Sequence, residues 1–382
     1  MNPLTELTLD QLRTRRSVKW QTHPADVLPM FIAEMDTPLA PALALALSQA
    51  VERGDTGYAL PGGVFEAYAD FAHKRFDWAP DPATMRLVPD VNTGIAEVVR
   101  TLTEPGATVV VDTPAYPPFF AKIRATEREV AEVPLVTSAT GAPVPDLNGL
   151  ERAFAAGAAA YLMCNPHNPS GAAFTRETLL AIAALAEAHG VRVLADEIHG
   201  PLTYPGVDHI PFASLPTAAS AASVAFVSAS KAWNLPGLKA SLVVPAPDAT
   251  EPMKEMPIEV SFGSGLLGVI ASEVAFTDGV AWLDALRDGL DHNRLRLAAR
   301  LREEVPEIGY RPPDATYLAW LDCRALDLGD DPATTFLEVG RVALGSGPTF
   351  GAPGNGFARL NFATSPELVD EAVRRIAATV HR

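Results

Sequence analysis

Between about Val88 and Val244, short apolar runs alternate with helix-like stretches, and this alternation restricts the fold more than any other feature of the chain. The runs Thr108–Val111, Ala159–Cys164, Val191–Ala195, Ala222–Val227 and Ser241–Val244 lack the in–out pattern of a strand with one wet face. Continuous apolar strands belong to a sheet covered on both sides. Helical stretches between them, such as Ile95–Leu102 and Arg176–His189, make that sheet mostly parallel, so the expected class is α/β. After about Phe276 the texture changes: Val280–Glu304 reads as a long charged helix, Ala315–Leu321 and Phe357–Phe362 as short strands, and Ser365–Val380 as a closing helix. That is the pattern of a smaller α+β domain. The expected division is an N-terminal segment, residues 1–45, packed on the small domain; a large domain, residues 46–278; and a small C-terminal domain, residues 279–382. A chain of 382 residues is long enough for two such cores.

Charge and composition exclude several classes. A formal charge of −16 gives an acidic surface without the basic footprint of a nucleic-acid or anionic-membrane binder. No stretch approaches the roughly 18 apolar residues of a membrane span, and the opening residues lack the apolar core of a signal peptide. Two distant cysteines, Cys164 and Cys323, make no disulfide framework, and no Cys/His cluster has metal-site spacing, so no metal is expected. These features point to a reducing, cytoplasmic setting.

Four motifs carry chemistry, each with an ordinary alternative. Ser228-Ala229-Ser230-Lys231 follows the run Ala222–Val227, and a lysine beyond a buried strand's C-terminal end can project into the crevice where α/β ligands bind. A lone lysine is more often solvated. Asp196 closes the run Val191–Ala195; there it can cap the next element or hold the proton of a ring nitrogen such as that of pyridoxal 5'-phosphate (PLP). Asn165-Pro166-His167-Asn168-Pro169-Ser170-Gly171 is either a plain proline-rich turn or a rigid mount for a side-chain amide. Asp90-Val91-Asn92-Thr93-Gly94 opens a helix, where backbone N–H groups cap the helix or bind a phosphate.

Taken in order, Asn-Pro-x-Asn-Pro-Ser-Gly, Asp-Glu-x-His, Ser-x-Ser-Lys and Ala358-Arg359-Leu360-Asn361 resemble the class I/II aminotransferase family of PLP enzymes. Thr113-Pro114-Ala115-Tyr116 and Gly57-Tyr58-Ala59-Leu60-Pro61-Gly62-Gly63 belong to the same pattern, and the resemblance runs from about residue 15 to the C-terminus. It implies PLP fold type I, with a mostly parallel, seven-stranded type of large domain beside a smaller α+β domain. It implies that Lys231 is the catalytic lysine that binds PLP as a Schiff base, that Asp196 partners the pyridine nitrogen, and that Asn168 donates to the phenolate oxygen. Tyr116 would stack on the ring, while Asn92, Thr93, Ser228 and Ser230 fall on phosphate-binding positions. Arg359 would clamp the substrate α-carboxylate. Tyr58 would reach the phosphate of a neighbouring subunit, in a homodimer with shared active sites. Two positions depart from the pattern. Lys239 (231 + 8) stands where the prototype has a phosphate-binding arginine, giving a point charge without the fork. His199 stands where many members have a tyrosine on the phenolate oxygen, and it serves that oxygen or the structure.

The shared motifs leave the reaction open between aminotransfer and β-elimination. Arg16-Ser17-Val18-Lys19-Trp20, Leu28 through Asp36, Asp196 through His199, Thr316-Tyr317-Leu318-Ala319-Trp320 and Gly345 through Asn361 are similar to the bacterial cystathionine β-lyase/C–S lyase subgroup. This favours carbon–sulfur cleavage of cystathionine or related cysteine conjugates to thiol, pyruvate and ammonia. Trp20, Tyr317 and Trp320 also read as core aromatics. Gly57–Gly63, and Asp314 in place of the subgroup's glutamate, lean toward an aminotransferase acting on an amino acid and a 2-oxo acid. A third reading is a regulatory protein-binding module on the same fold; it finds no room for a DNA-binding domain ahead of Arg16.

Overall fold

The computed structural model describes residues 2–381, which fall into two compact units. The larger is built from residues 39–166 and 173–281; the smaller comes from within 1–38 and 282–382, together with His167–Ala172.

The larger unit holds a seven-stranded sheet: β1 (Arg86–Val88), β2 (Thr108–Thr113), β3 (Glu129–Pro134), β4 (Ala160–Cys164), β5 (Arg192–Asp196), β6 (Val224–Val227) and β7 (Ser241–Pro245), in spatial order β1-β7-β6-β5-β4-β2-β3. Every neighbouring pair is parallel except those involving β7, which runs against both β1 and β6. Every residue of β4, β6 and β7 is buried, as the unbroken apolar runs require of a sheet with helices on both faces. Ile95, Val98, Val109, Leu162, Leu194 and Phe226 are among the side chains of the main core. This is the α/β sheet expected from the alternation.

Two strands escape the sequence pattern. β3 lies at the sheet edge and carries Glu129 and Glu132 in exposed positions, because an edge strand needs no continuous apolar run. β1 is only three residues long and opens with Arg86. The helix expected at Ile95–Leu102 begins earlier, at Val91, with Asp90 as its N-cap, so Asn92, Thr93 and Gly94 occupy its first turn. Gly94 is needed there: a Cβ would sit 3.2 Å from side-chain carbons of both Val88 and Val243, which pack the helix closely on the sheet.

The smaller unit contains β8 (Gly309–Tyr310), β9 (Leu318–Asp322), β10 (Gly345–Ser346) and β11 (Phe357–Asn361), antiparallel throughout in the order β8-β9-β11-β10. Helix Pro366–Val380 and most of helix Val280–Glu304 belong to the same unit. β9 starts later than the expected Ala315. The Asp314 and Ala315 N–H groups donate instead to the Gly171 carbonyl, and Thr316 turns the chain with φ of 72°.

The segment Met30–Thr37 has little regular structure, yet its carbonyls are claimed one after another. Met30 O accepts from Asn361 N, Phe31 O from Arg359, Ile32 O from Asn361 Nδ2 and Ala33 O from the Tyr317 hydroxyl. Glu34 O accepts from both Lys19 Nζ and Asn361 Nδ2, while Met35 O and Thr37 O accept from Arg15. Lys19 is fully buried; its ammonium lies 2.8 Å from Asp36 Oδ2, and Trp20 Nε1 donates to Asp36 Oδ1 at 2.9 Å. A buried ion pair survives when hydrogen bonds support both charges, as Glu34 O does for Lys19 and Trp20 Nε1 for Asp36.

Cys164 and Cys323 are both buried, and neither forms a disulfide. Among the described residues, no single helix is long and apolar enough to cross a membrane.

Because removing one partner strands the other charge in the core, Lys19→Met should cost about 3–5 kcal/mol of stability. Chemical denaturation of Lys19→Met beside Lys19→Met/Asp36→Asn checks this, with partial recovery expected in the double variant.

Candidate active site

In the larger unit, β4, β5 and β6 lie side by side and point the same way, with Cys164 opposite Asp196 and Asp196 opposite Phe226. The chemistry-bearing segments therefore leave the sheet at one edge, outside its carboxyl ends. Asp196 is 4% exposed, and its Oδ1 accepts from Ile198 N at 3.2 Å. Burial pushes its carboxyl up to about 7, against the pull of the Ile198 hydrogen bond and the Lys231 charge and with a further push from Glu197. A carboxyl placed so deeply calls for a cationic or proton-bearing partner.

Lys231 sits on the short helix Ala229–Ala232 that follows β6. Ser228 caps that helix, accepting from Ser230 N at 3.1 Å and donating to the Ala240 carbonyl at 2.8 Å. Trp233, at the helix end, is fully buried; its Nε1 donates to Gly279 O at 3.0 Å, and the rings of Phe71 and Phe276 pack against it. The lysine thus stands on a rigid mount, and Ser228 is part of that mount.

At the start of helix Val91–Leu102, Asp90 Oδ1 accepts from Thr93 N at 2.8 Å, and Asp90 Oδ2 lies 3.1 Å from Lys239 Nζ. Burial alone would raise the Asp90 carboxyl, but the Thr93 N–H and the Lys239 ammonium hold it below its usual range. Lys239 is therefore committed to an ion pair in addition to any anion it serves. Asn92 Oδ1 is buried without a hydrogen-bond partner. Turned about its terminal torsion, the same amide offers N–H donors to an anion beside the helix's positive end.

Tyr116, half-buried after β2, meets Phe119 edge-on at 5.5 Å. His199 is buried in the turn after Asp196. Tyr58 stands apart: it is 86% exposed, with its ring 6.1 Å from that of Phe262.

In the smaller unit, Arg359 on β11 is 6% exposed; Nη1 donates to Asn168 Oδ1 and Nη2 to the Phe31 carbonyl, both at 3.0 Å. The Asn168 turn is held by a hydrogen bond of 2.8 Å between His167 Nδ1 and Ser170 Oγ, and burial drives His167 down to about 3, keeping its ring neutral. Sequence reasoning had not singled out the Phe31 carbonyl or the Phe350 ring, which lies 4.9 Å from the Arg359 guanidinium. Only the glycine-dense Gly345–Gly356 stretch around Phe350 hinted at a tightly built loop.

Comparison with known proteins places this geometry. The family model described as aminotransferase class I and II matches residues 34–376. Cystathionine beta-lyase of Corynebacterium glutamicum is 35% identical, with 97% of this chain and 99% of that protein covered. Cystathionine beta-lyase PatB of Bacillus subtilis is also 35% identical, covering 96% and 97%. Among solved structures, cystalysin from Treponema denticola, which contains a pyridoxal 5'-phosphate cofactor, superposes with a TM-score of 0.91 at 25% identity, covering 100% of this chain and 98% of that one. The fold is that of PLP-dependent fold type I. The chain belongs to the class I and II aminotransferase family.

The residues fit the cofactor such a fold carries. Asp196 suits a protonated ring nitrogen, the Asn92 amide and the helix start suit a phosphate, and Lys231 would supply an amine. In the cofactor-free protein, the raised Asp196 pKa means that its protonated form stabilises the fold. That stability is complete below the ordinary value of 3.8 and is lost as pH rises through about 7. Asp196→Asn, always neutral, should therefore match the wild type in Tm near pH 4 and exceed it near pH 8, while gaining less from added PLP. Asp112, raised to about 7 mainly by burial, titrates in both proteins and cancels. A thermal-unfolding series over pH in the two proteins reads the difference, and parallel curves would sink the assignment.

Proposed function

We propose that this chain is a PLP-dependent carbon–sulfur β-lyase that cleaves cystathionine or related L-cysteine S-conjugates to a thiol, pyruvate and ammonia. The observation that carries the reading is the placement of the buried Asp196 and of Lys231 at one sheet edge, in a chain 35% identical along nearly its whole length to proteins named cystathionine beta-lyase. PLP, when bound, draws off the electron pair released at the substrate Cα.

The chain's own groups do the rest. Asp196 keeps a proton on the pyridine nitrogen, and Asn168 donates to the phenolate oxygen. Asn92, Thr93, Ser228, Ser230 and Lys239 would hold the phosphate, Ser228 also bracing the lysine helix. Tyr116 would stack on the ring, and His199 lies in the same turn as Asp196. Arg359 binds the α-carboxylate, a planar anion that matches its planar fork. The Lys231 amine takes the proton from Cα as the Cβ–S bond breaks, and it returns a proton to the departing sulfur. Water then completes release of pyruvate and ammonia.

The working assembly in this reading is a homodimer in which Tyr58 serves the partner's phosphate. The exposure of Tyr58 at 86%, Leu60 at 73%, Ile258 at 63% and Phe262 at 49% supports it, since apolar side chains so bare in one unit suit burial against a second copy. Two buried cysteines outside any disulfide accord with a cytoplasmic setting.

Incubation with L-cystathionine should yield pyruvate and free thiol in equal amounts, read by coupled lactate dehydrogenase and a thiol reagent. Amino transfer to a 2-oxo acid without thiol release would replace lyase by aminotransferase. Mixing inactive Lys231→Ala subunits with impaired Tyr58→Phe subunits should restore activity. In a mixed dimer with shared sites, one site carries both defects and the other neither. No recovery despite demonstrated subunit exchange would put Tyr58 in its own subunit's site.

A further inference from the structure

Two hydrogen bonds order the Arg359 guanidinium, to Asn168 Oδ1 and to the Phe31 carbonyl, but a third contact restrains it differently. Its central carbon lies 4.9 Å from the centroid of the Phe350 ring, which is 2% exposed. Hydrogen bonds that order a guanidinium each consume an N–H donor. An aromatic face orders the plane and consumes none, leaving donors for an incoming carboxylate.

The chain fixes that ring by main-chain packing. A Cβ on Gly347 would sit 2.2 Å from the carbonyl oxygens of Gly354 and Phe357, and one on Gly354 would sit 2.0 Å from Gly347 O. Gly351, next to Phe350, has φ of 103° and ψ of 169°, a conformation essentially closed to other residues. On the near side, a Cβ on Gly345 would lie 3.3 Å from Arg359 Cβ and 3.4 Å from the Phe31 carbonyl oxygen, so this loop hugs the arginine and one of its acceptors.

Behind Phe350 stands a buttress. Trp320, paired with Arg359 in the β9–β11 register, meets Phe350 at 5.2 Å and 65° and stacks on Phe357 at 5.2 Å and 9°. The guanidinium of Arg324 covers Phe357 at 4.9 Å, and its Nε bonds Asp322 at 2.8 Å. The row is therefore closed at each end by a cation.

We propose that Phe350 is a positioning residue for Arg359, its ring face holding the guanidinium plane in the orientation that receives the substrate α-carboxylate. The inference rests on the reading of Arg359 given above. A side chain with Arg359's rotatable bonds loses binding energy to ordering unless it is pre-set, and Phe350 pre-sets it.

The test uses the PLP-loaded enzyme and Phe350→Leu, with Phe350→Met as a parallel variant that lacks a π face and Phe350→Tyr as the variant that keeps one. The Kd of L-alanine, an α-carboxylate ligand, is measured by titrating the visible absorbance of the bound cofactor. Methoxyamine, an amine without a carboxylate, is the control, and KM and kcat are measured with L-cystathionine. Phe350→Leu and Phe350→Met should raise the L-alanine Kd and the KM by about five-fold or more, while kcat shifts by less than about two-fold. The methoxyamine reaction should be unchanged, and Phe350→Tyr should behave as wild type.

An unchanged L-alanine Kd in the Leu and Met variants overturns the proposal. So does an equal loss toward methoxyamine, or a Tyr variant as poor as Leu. Loss of bound PLP in both Leu and Met variants, with Tyr intact, also overturns it by making Phe350 a packing residue. Arg359→Lys separates the two levels. If it leaves the L-alanine Kd unchanged, the carboxylate role of Arg359 falls; if it weakens binding and Phe350→Leu does not, only the role of Phe350 falls.

Discussion

A carboxyl group carried into the interior at the end of a central parallel strand is the constraint on which the larger unit turns. Asp196 ends β5, which β4 and β6 flank in the middle of the sheet, and burial there lifts its carboxyl to about 7. An acid in that place is at odds with its surroundings until a positive or proton-bearing group meets it. The strand order answers this demand, because it delivers the segment with Lys231 from the neighbouring strand at the same edge. Two motifs far apart in the chain, at Asp196 and Lys231, become neighbours because parallel strands end together.

The smaller unit solves the opposite problem, a buried cation, with a different material. Arg359 and Lys19 each donate to a main-chain carbonyl of the irregular segment Met30–Thr37, with Asn168 Oδ1 and the Asp36 carboxylate as their side-chain acceptors. A strand would have spent those carbonyls on a ladder. Leaving most of the segment without a ladder frees these oxygens for side chains, and Tyr317, Asn361 and Arg15 take others.

What was legible in the sequence follows the same physics. β4, β6 and β7 announce themselves because each is buried throughout, and Asp196 and Lys231 could be placed beyond strand ends for that reason. β3 was hidden because an edge strand with Glu129 and Glu132 has no apolar signature. The first turn of helix Val91–Leu102 was hidden because Asn92, Thr93 and Gly94 look like a loop until Asp90 caps them. Lys19 gave no sign of its burial, since its partner and its carbonyl acceptor lie on a separate stretch of chain. Nor could sequence order show that His167–Ala172, in the middle of the chain, joins the unit built from the two ends. Arg359 was marked by its motif, but the floor beneath it was not. A phenylalanine at position 350 is unremarkable until the flanking glycines are seen to leave no room for a Cβ.

The mount of Lys231 has a kinetic consequence. Its helix is capped by Ser228 and anchored through Trp233 to Gly279 and two aromatic rings, so the backbone at Lys231 is braced from several sides. Travel of the amine is left to rotations about the carbons of its own stem, which run on picosecond to nanosecond timescales, whereas loop rearrangement is far slower. The Lys231 nitrogen is a tethered group on a braced post: its reach is set by the length of one side chain, and its local concentration by the small volume that this tether can sweep.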